Sequence, residues 1–423
     1  MQIPARLKSF LSDSMIYTLV NLGNKAIPFL LLPIIIRLVS PTEYGIYALF
    51  LTTETLLMPL VSLNVHSALG RHFFLDDIDL RAYVSTILIF LTIFVAVLCG
   101  ITYILPDTWV AWTGLSSRLL TMAVFTAFGG SIALLVAVLF RSERKPLFYG
   151  VYIIVQSVLL LSCVLLFSYW EPNAEMLIMG RSIAFAVFLL GSLGIFWYKN
   201  LLSSLFSQLW LERILRFSLP TILFSVATFV FVSSDRFQIG YFMGKQAVGY
   251  YSAITQVAAL ISVLAASFNA AWLPWIFENL KKKETATNLF IVKLSYALMA
   301  GFIILGLVFA LLLPFLSKYI LTPDYQTYIY VGYPLILGFV LQGLYFVICP
   351  YLWFTEQTKY LGYGGIGIAI LNITLNFFLI PHFGILGASL SNAASWATLF
   401  VYTFYQSQRV YPMPWLISAS SVQ

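Results

Sequence analysis

Six ionisable side chains stand in stretches that are otherwise apolar: Lys25, Glu54, Arg181, Asp235, Arg236 and Lys293. An ionised group at the centre of a bilayer costs about 3 kcal/mol or more, so it normally faces a cavity or a partner. Lys25 and Glu54 flank a reversal near residue 39 and lie almost equally far from it. At about 1.5 Å of rise per residue, both fall roughly 21–23 Å along their helices, where adjacent antiparallel helices could join them. Asn21, four residues before Lys25, shares its helix face. Two readings stand open. One is a cation in a hydrated cavity with a carboxylate that takes up a proton; the other is a buried structural ion pair.

The remaining charges divide by depth. Asp235 and Arg236 stand in "VSSDRFQIGY", about 28 Å along a helix from Arg216 and so close to the outer surface. Neighbours on a helix do not face each other, so the two are expected to reach different partners. Asp235 would fasten helix seven to another helix; Arg236 would meet an anionic group at the outer mouth or snorkel to water. Arg181 lies a turn and a half past Glu175, with no carboxylate at equal depth, which makes it a candidate lumen cation, snorkelling being the alternative. Lys293 reads as an interface lysine. Asn372 and Asn376, four apart, with Gln156, Gln256, Asn269, Gln342 and Asn392, are expected to hydrogen-bond between helices.

The elements that must position these groups follow from composition. Of 423 residues 61% are apolar and 9% charged, with a mean hydropathy of +0.93; a soluble domain carries about 25% charged residues. The apolar residues come in blocks of about twenty, enough to cross a hydrocarbon core of about 30 Å as helices. The blocks predict an all-α polytopic membrane protein of twelve spans, near 14–36, 44–65, 83–105, 118–140, 148–170, 176–198, 216–240, 247–275, 289–316, 326–351, 360–381 and 385–407. The first reads as an uncleaved span, since no small-residue cleavage site follows it.

With the N-terminus inside, fifteen Lys and Arg fall in cytoplasmic loops against Arg37, Arg118, Lys245 and Lys318 outside. That excess places both termini in the cytoplasm. It also accounts for the net charge of +7 without a nucleic-acid partner. Cys99, Cys163 and Cys349 all fall inside spans without paired spacing, and the three histidines lack companion ligands, so no metal or cofactor is expected. Asp77-x-Asp79 has the form of a metal-holding acidic pair, but its short loop reads as a solvated one. No connection is long enough for a soluble catalytic domain, which speaks against an enzyme.

The least hydrophobic central break, about 199–214, divides the chain into 1–205 and 206–423, six spans each. A shift of 204 residues sets "SPTEYGIYALF" on "GKQAVGYYSAI", with Gly45 on Gly249 and Tyr47 on Tyr251. Both stretches are expected to be short loops in which glycine permits a tight reversal and tyrosine anchors at the headgroups.

Three segments resemble one family. "RLVSPTEYGIYAL" is similar to the opening signature of the polysaccharide and O-antigen exporters, with Thr42 departing from the usual Glu. "DRFQIGYFMGKQAVGYYS" resembles their passage from helix seven to eight, and "NITLNFFLIPHFGILGASLS" their turn between helices eleven and twelve. The resemblance implies two pseudo-symmetric six-helix bundles around a central cavity, as in the MATE-like superfamily. It implies a flippase in the bacterial inner membrane that moves an undecaprenyl-pyrophosphate-linked oligosaccharide to the periplasmic leaflet by alternating access. It further implies coupling to H+ or Na+ and association with polysaccharide polymerase or chain-length machinery. Lys25, Arg181 and Arg236 are where this chain could supply the cations for such a head group. The alternative is a multidrug or cation exporter of the same superfamily, which four in-span cations against two carboxylates disfavour.

Overall fold

The computed structural model describes residues 20, 23, 27, 29–107, 111–282 and 284–415. Lys25 and Asn21 lie outside the described residues. Ten helices among those described are long and apolar enough to cross a membrane. The first expected span is described as α1, Phe29–Leu38. The twelfth is a 26-residue helix, α17, Ile385–Val410; its serines, Asn392, Gln406, Gln408 and Arg409 set it below the ten in apolarity.

The chain forms two compact units. One holds the residues up to Phe229 together with Gly244–Gly249. After α1 it contains α2 (Pro41–Ser62), α3 (Val65–His72), α4 (Leu80–Ile104), α5 (Ser117–Ser142), α6 (Pro146–Trp170), α7 (Ala174–Tyr198) and most of α8 (Gln208–Ser233). Local chemistry sets the starts. Ser40 caps α2 by accepting from the Glu43 N–H at 3.3 Å. Asp79, Ser116 and Asn173 cap α4, α5 and α7 in the same way, and Pro41 and Pro146 occupy first-turn positions where the missing donor costs nothing. Helix α5 is the pillar, packed by α2, α3, α4, α6 and α7. Its Ala, Gly and Ser let backbones approach closely: a Cβ on Gly129 would stand 3.1 Å from the Phe185 Cβ.

The other unit holds Val230–Met243 and Tyr250 onward. Its elements are α9 (Asp235–Met243), the rest of α10 (Lys245–Ala258), α11 (Leu260–Leu280), α12 (Thr285–Ile320), α13 (Pro323–Gln326), α14 (Gly332–Ile348), α15 (Pro350–Phe354), α16 (Thr358–Phe383) and α17. Here α14 is the pillar, against α11, α12 and α17. Gly338 meets Ala393, and Gly343 lies against the Phe302 ring. The pillars are the fourth and tenth of the expected spans.

Two expectations are corrected. Gly45 and Gly249 are not in loops: they lie inside α2 and α10. The first reversal is Val39–Ser40, and the second is made by Gly244 at φ 84°. A Cβ on Gly45 would collide with the Lys245 carbonyl, and one on Gly249 with the Pro41 carbonyl. The 204-residue shift that relates the two glycines also carries Pro41 onto Lys245, so the approach is reciprocal. Their tyrosines are not headgroup anchors either, for Tyr47 is 4% and Tyr251 0% exposed. Helix α8 also begins at Gln208, inside the stretch read as the connector. Trp210 and Ile214 are buried there, which single-residue hydropathy does not reveal.

Candidate functional site

In the first unit the site is built on α2 and α7. Glu43 accepts from the Ala174 N–H at 2.6 Å, so a carboxylate fills the helix N-terminus, where anions are favoured. That contact sets Ala174 level with Glu43, and the two helices run in the same direction. Arg181, two turns further on, then stands about one turn above Glu54. The arginine reaches across that turn with both arms of its fork: Nε to Glu54 Oε2 at 2.6 Å and Nη2 to Oε1 at 3.0 Å. The side chains are 17% and 7% exposed. The Tyr47 hydroxyl is a further side-chain partner of Arg181, and the Phe185 ring lies 5.1 Å from the guanidinium carbon.

Arg181 is therefore not an unpaired cation. The expectation counted each helix from its own end, and the Glu43–Ala174 contact shows that the helices start at a common level. Arg181 engages both oxygens of Glu54; the expected pairing of Lys25 with Glu54 lies outside the described residues. Lys25 and Asn21 are not among the described residues. Tyr47, expected as a headgroup anchor, stands seven residues before Glu54 and so shares its helix face. That signal was available in the sequence.

The second unit carries a comparable cluster. Asp235 is 6% exposed at the start of α9. Its Oδ1 accepts from the Arg236 N–H at 2.9 Å and from Arg236 Nη1 at 2.8 Å; its Oδ2 accepts from the Tyr251 hydroxyl at 2.5 Å. The aspartate does fasten its helix to the next one, through Tyr251 on α10. The expectation that Asp235 and Arg236 reach different neighbours is wrong. The rule against adjacent contacts holds inside a helix, whereas here the helix is interrupted at Ser234 and Asp235 curls over a fresh N-terminus. Lys293 is exposed.

Other polar groups hold the helices together. Asn372 Nδ2 donates to Ser395 Oγ at 3.1 Å, joining α16 to α17, and Asn372 Oδ1 accepts from Asn376 Nδ2 at 3.1 Å within α16. Between α5 and α6, Glu143 accepts from Lys199 Nζ at 2.7 Å and pairs with Lys145 Nζ at 2.9 Å. Burial opposes ionisation of Glu143, but both lysines outweigh it and hold the carboxyl below its ordinary range. In the acidic loop Asp77 pairs with Arg213 at 2.9 Å, while Asp79 caps α4.

The family model for "Polysaccharide biosynthesis protein" matches residues 10–280. A Haemophilus influenzae protein of the Lsg locus is 27% identical over 283 residues, covering 64% of this chain and 67% of its own. Among solved structures, a lipid II flippase MurJ in an inward closed conformation is similar at a TM-score of 0.71 and 13% identity, over 94% of this chain and 87% of that one. An inward-facing multidrug resistance MATE family transporter of the MOP superfamily is similar at 0.61 and 14% identity, over 93% and 94%. With more than half of its length matched by the family model, this multi-pass membrane chain belongs to the polysaccharide biosynthesis protein family, and its fold is that of the MurJ and MATE transporters.

Proposed function

We propose that the protein is a flippase that carries a lipid-linked oligosaccharide, with undecaprenyl pyrophosphate as the lipid, from the cytoplasmic to the periplasmic leaflet of the bacterial inner membrane. The observation that carries this reading is the buried arginine fork of Arg181. A planar guanidinium that grips a carboxylate with two arms suits a phosphate equally well. In the described arrangement Glu54 occupies the fork, and the pyrophosphate takes the carboxylate's place during transport. Tyr47 stands beside it as a neutral donor, and Lys25 adds charge on the first span. Arg236, held by Asp235, adds a cation from the second half. The oligosaccharide travels in a wet path while the polyprenyl tail stays in lipid, so neutralising the head group replaces part of its lost hydration. Bundles 1–205 and 206–423, with both termini cytoplasmic, alternate access by rocking. H+ or Na+ supplies the drive, and the delivered unit passes to a polymerase and its chain-length partner.

The test is surface polysaccharide in cells whose only copy carries Arg181→Ala or Lys25→Ala. Loss of polysaccharide with normal protein in the membrane supports the reading, and normal polysaccharide in both variants removes it. Resistance to cationic dyes on overexpression, with polysaccharide unaffected, would favour the multidrug exporter.

A further inference from the structure

The second span is interrupted between α2 and α3. Leu63 and Asn64 both adopt left-handed backbone, at φ 45° and φ 51°. Leucine has no preference for that region, because its Cβ crowds the next carbonyl. Such residues persist only where surrounding contacts over-determine them, and they concentrate at moving parts. Discontinuous spans in transporters lie at working parts of the fold. Pro59 removes a backbone donor one turn before the break.

The over-determining contacts are specific. Asn64, 6% exposed, donates from Nδ2 to Thr221 Oγ1 at 3.0 Å and to Ser225 Oγ at 3.1 Å, both on α8. Its own N–H, released from the helix ladder, is taken by Ser62 Oγ at 3.1 Å, which satisfies a donor that hydrocarbon could not. Above the break, α2 is fixed twice to α7, through Glu43 and Glu54. Below it, α3 meets α8 by ring contacts, with Arg71 4.9 Å and His72 5.8 Å from the Phe217 ring. Ring contacts tolerate sliding; the two amide hydrogen bonds do not.

We propose that Leu63–Asn64 is a joint in the second span, and that Asn64 is the positioning residue that latches α3 in its bent setting through Thr221 and Ser225. Releasing the latch lets residues 62–64 rewind towards helix and re-aims α3 at the cytoplasmic end of the unit. The outer part of α2 stays with α7. The joint is independent of the cargo, so it stands or falls separately from the flippase reading.

The test uses the full chain in nanodiscs with Cys99, Cys163 and Cys349 replaced by serine. Spin labels at Phe74, just past α3, and at Phe148 on α6 report the joint; both positions are exposed. Labels at Phe148 and Trp197 serve as reference. Thr221→Val with Ser225→Ala removes both acceptors and leaves the strained backbone untouched. The 74–148 distance distribution is expected to shift by several ångströms or to split, while 148–197 stays fixed. Adding Leu63→Gly, which favours the left-handed setting, is expected to restore the narrow wild-type distribution. An unchanged 74–148 distribution in the folded double variant overturns the proposal, and so does movement of both pairs together. Should the double variant not fold, hydrogen exchange of the wild-type amides 61–67 decides. The joint requires faster exchange there than in α5, and equal protection refutes it.

Discussion

Replacing Glu54 by alanine leaves the Arg181 guanidinium in place with neither of its carboxylate contacts, and the structure allows the cost to be worked out. Two charge-assisted hydrogen bonds are lost, each worth about 1.5–3 kcal/mol. Two unit charges about 4 Å apart at an effective dielectric of about 20 interact by about 4 kcal/mol. Truncating one member of a buried pair costs about 3–5 kcal/mol, mostly because the other charge is stranded. Glu54→Ala and Arg181→Ala should therefore each lower stability by about 3 kcal/mol. The double variant strands no charge, so it should fall by about the same amount, far from the sum. The coupling between the two residues then comes to about 3 kcal/mol. Reversible unfolding in mixed micelles on the wild type and three variants measures it. A coupling under about 0.5 kcal/mol, the level of additive distant sites, would refute the view that these side chains form one buried unit.

Three further outcomes follow. Tyr251→Phe removes one of the donors to buried Asp235 and should cost about 1–3 kcal/mol; the same unfolding assay checks it, with Tyr241→Phe at an exposed site as the near-neutral control. Gly45→Ala or Gly249→Ala drives a methyl group into a carbonyl of the opposite helix, and overpacking of that kind costs about 1–3 kcal/mol; the melting temperature of each variant should fall, whereas Gly301→Ala, with open space around it, should be neutral. Glu143 has a folded pKa below its ordinary one, so its contribution is fully present above that ordinary value and is lost as pH falls through the folded value. Stability of the wild type should accordingly drop more steeply below about pH 4.5 than that of Glu143→Gln, which a pH series of melts would show.

Legibility from sequence depended on what kind of fact was at stake. Helix existence is written in runs of twenty apolar residues, and the spans follow it closely wherever hydrophobicity alone decides, as at α4 to α7. It fails at α8, whose first two turns carry Gln208, Glu212 and Arg213 and yet bury Trp210 and Ile214. The charged residues themselves were evident, because an ionisable group among leucines is conspicuous. Their partners were not. Pairing depends on the relative height of two helices, and the Glu43–Ala174 contact sets that height across 131 residues of chain. Asp235 and Arg236 failed for a different reason, since the break at Ser234 releases them from helical geometry and leaves no mark in hydropathy.

The repeat makes sense of what remains. Tyr47 and Tyr251 correspond under the same shift that relates Gly45 to Gly249, and each places a hydroxyl against a buried arginine–carboxylate pair. Their charged partners do not correspond: Glu54 and Arg181 come from the second and sixth spans, Asp235 and Arg236 from the end of the seventh. Residues two apart on a helix face nearly opposite sides. With the glycine turned to one neighbouring helix, the tyrosine is turned to another part of the bundle, where a buried phenol needs an acceptor or a donor to be tolerated. An ion pair satisfies that need from whichever neighbouring element can reach. The duplicated feature is thus the glycine approach with its inward tyrosine, and the charges were fitted to it separately in each half. If so, Tyr47→Phe and Tyr251→Phe should both destabilise, while only Tyr47→Phe should alter the coupling between Glu54 and Arg181. The double-mutant cycle repeated in each phenylalanine background separates the two cases, and equal coupling in both would mean that Tyr47 is a bystander to the pair.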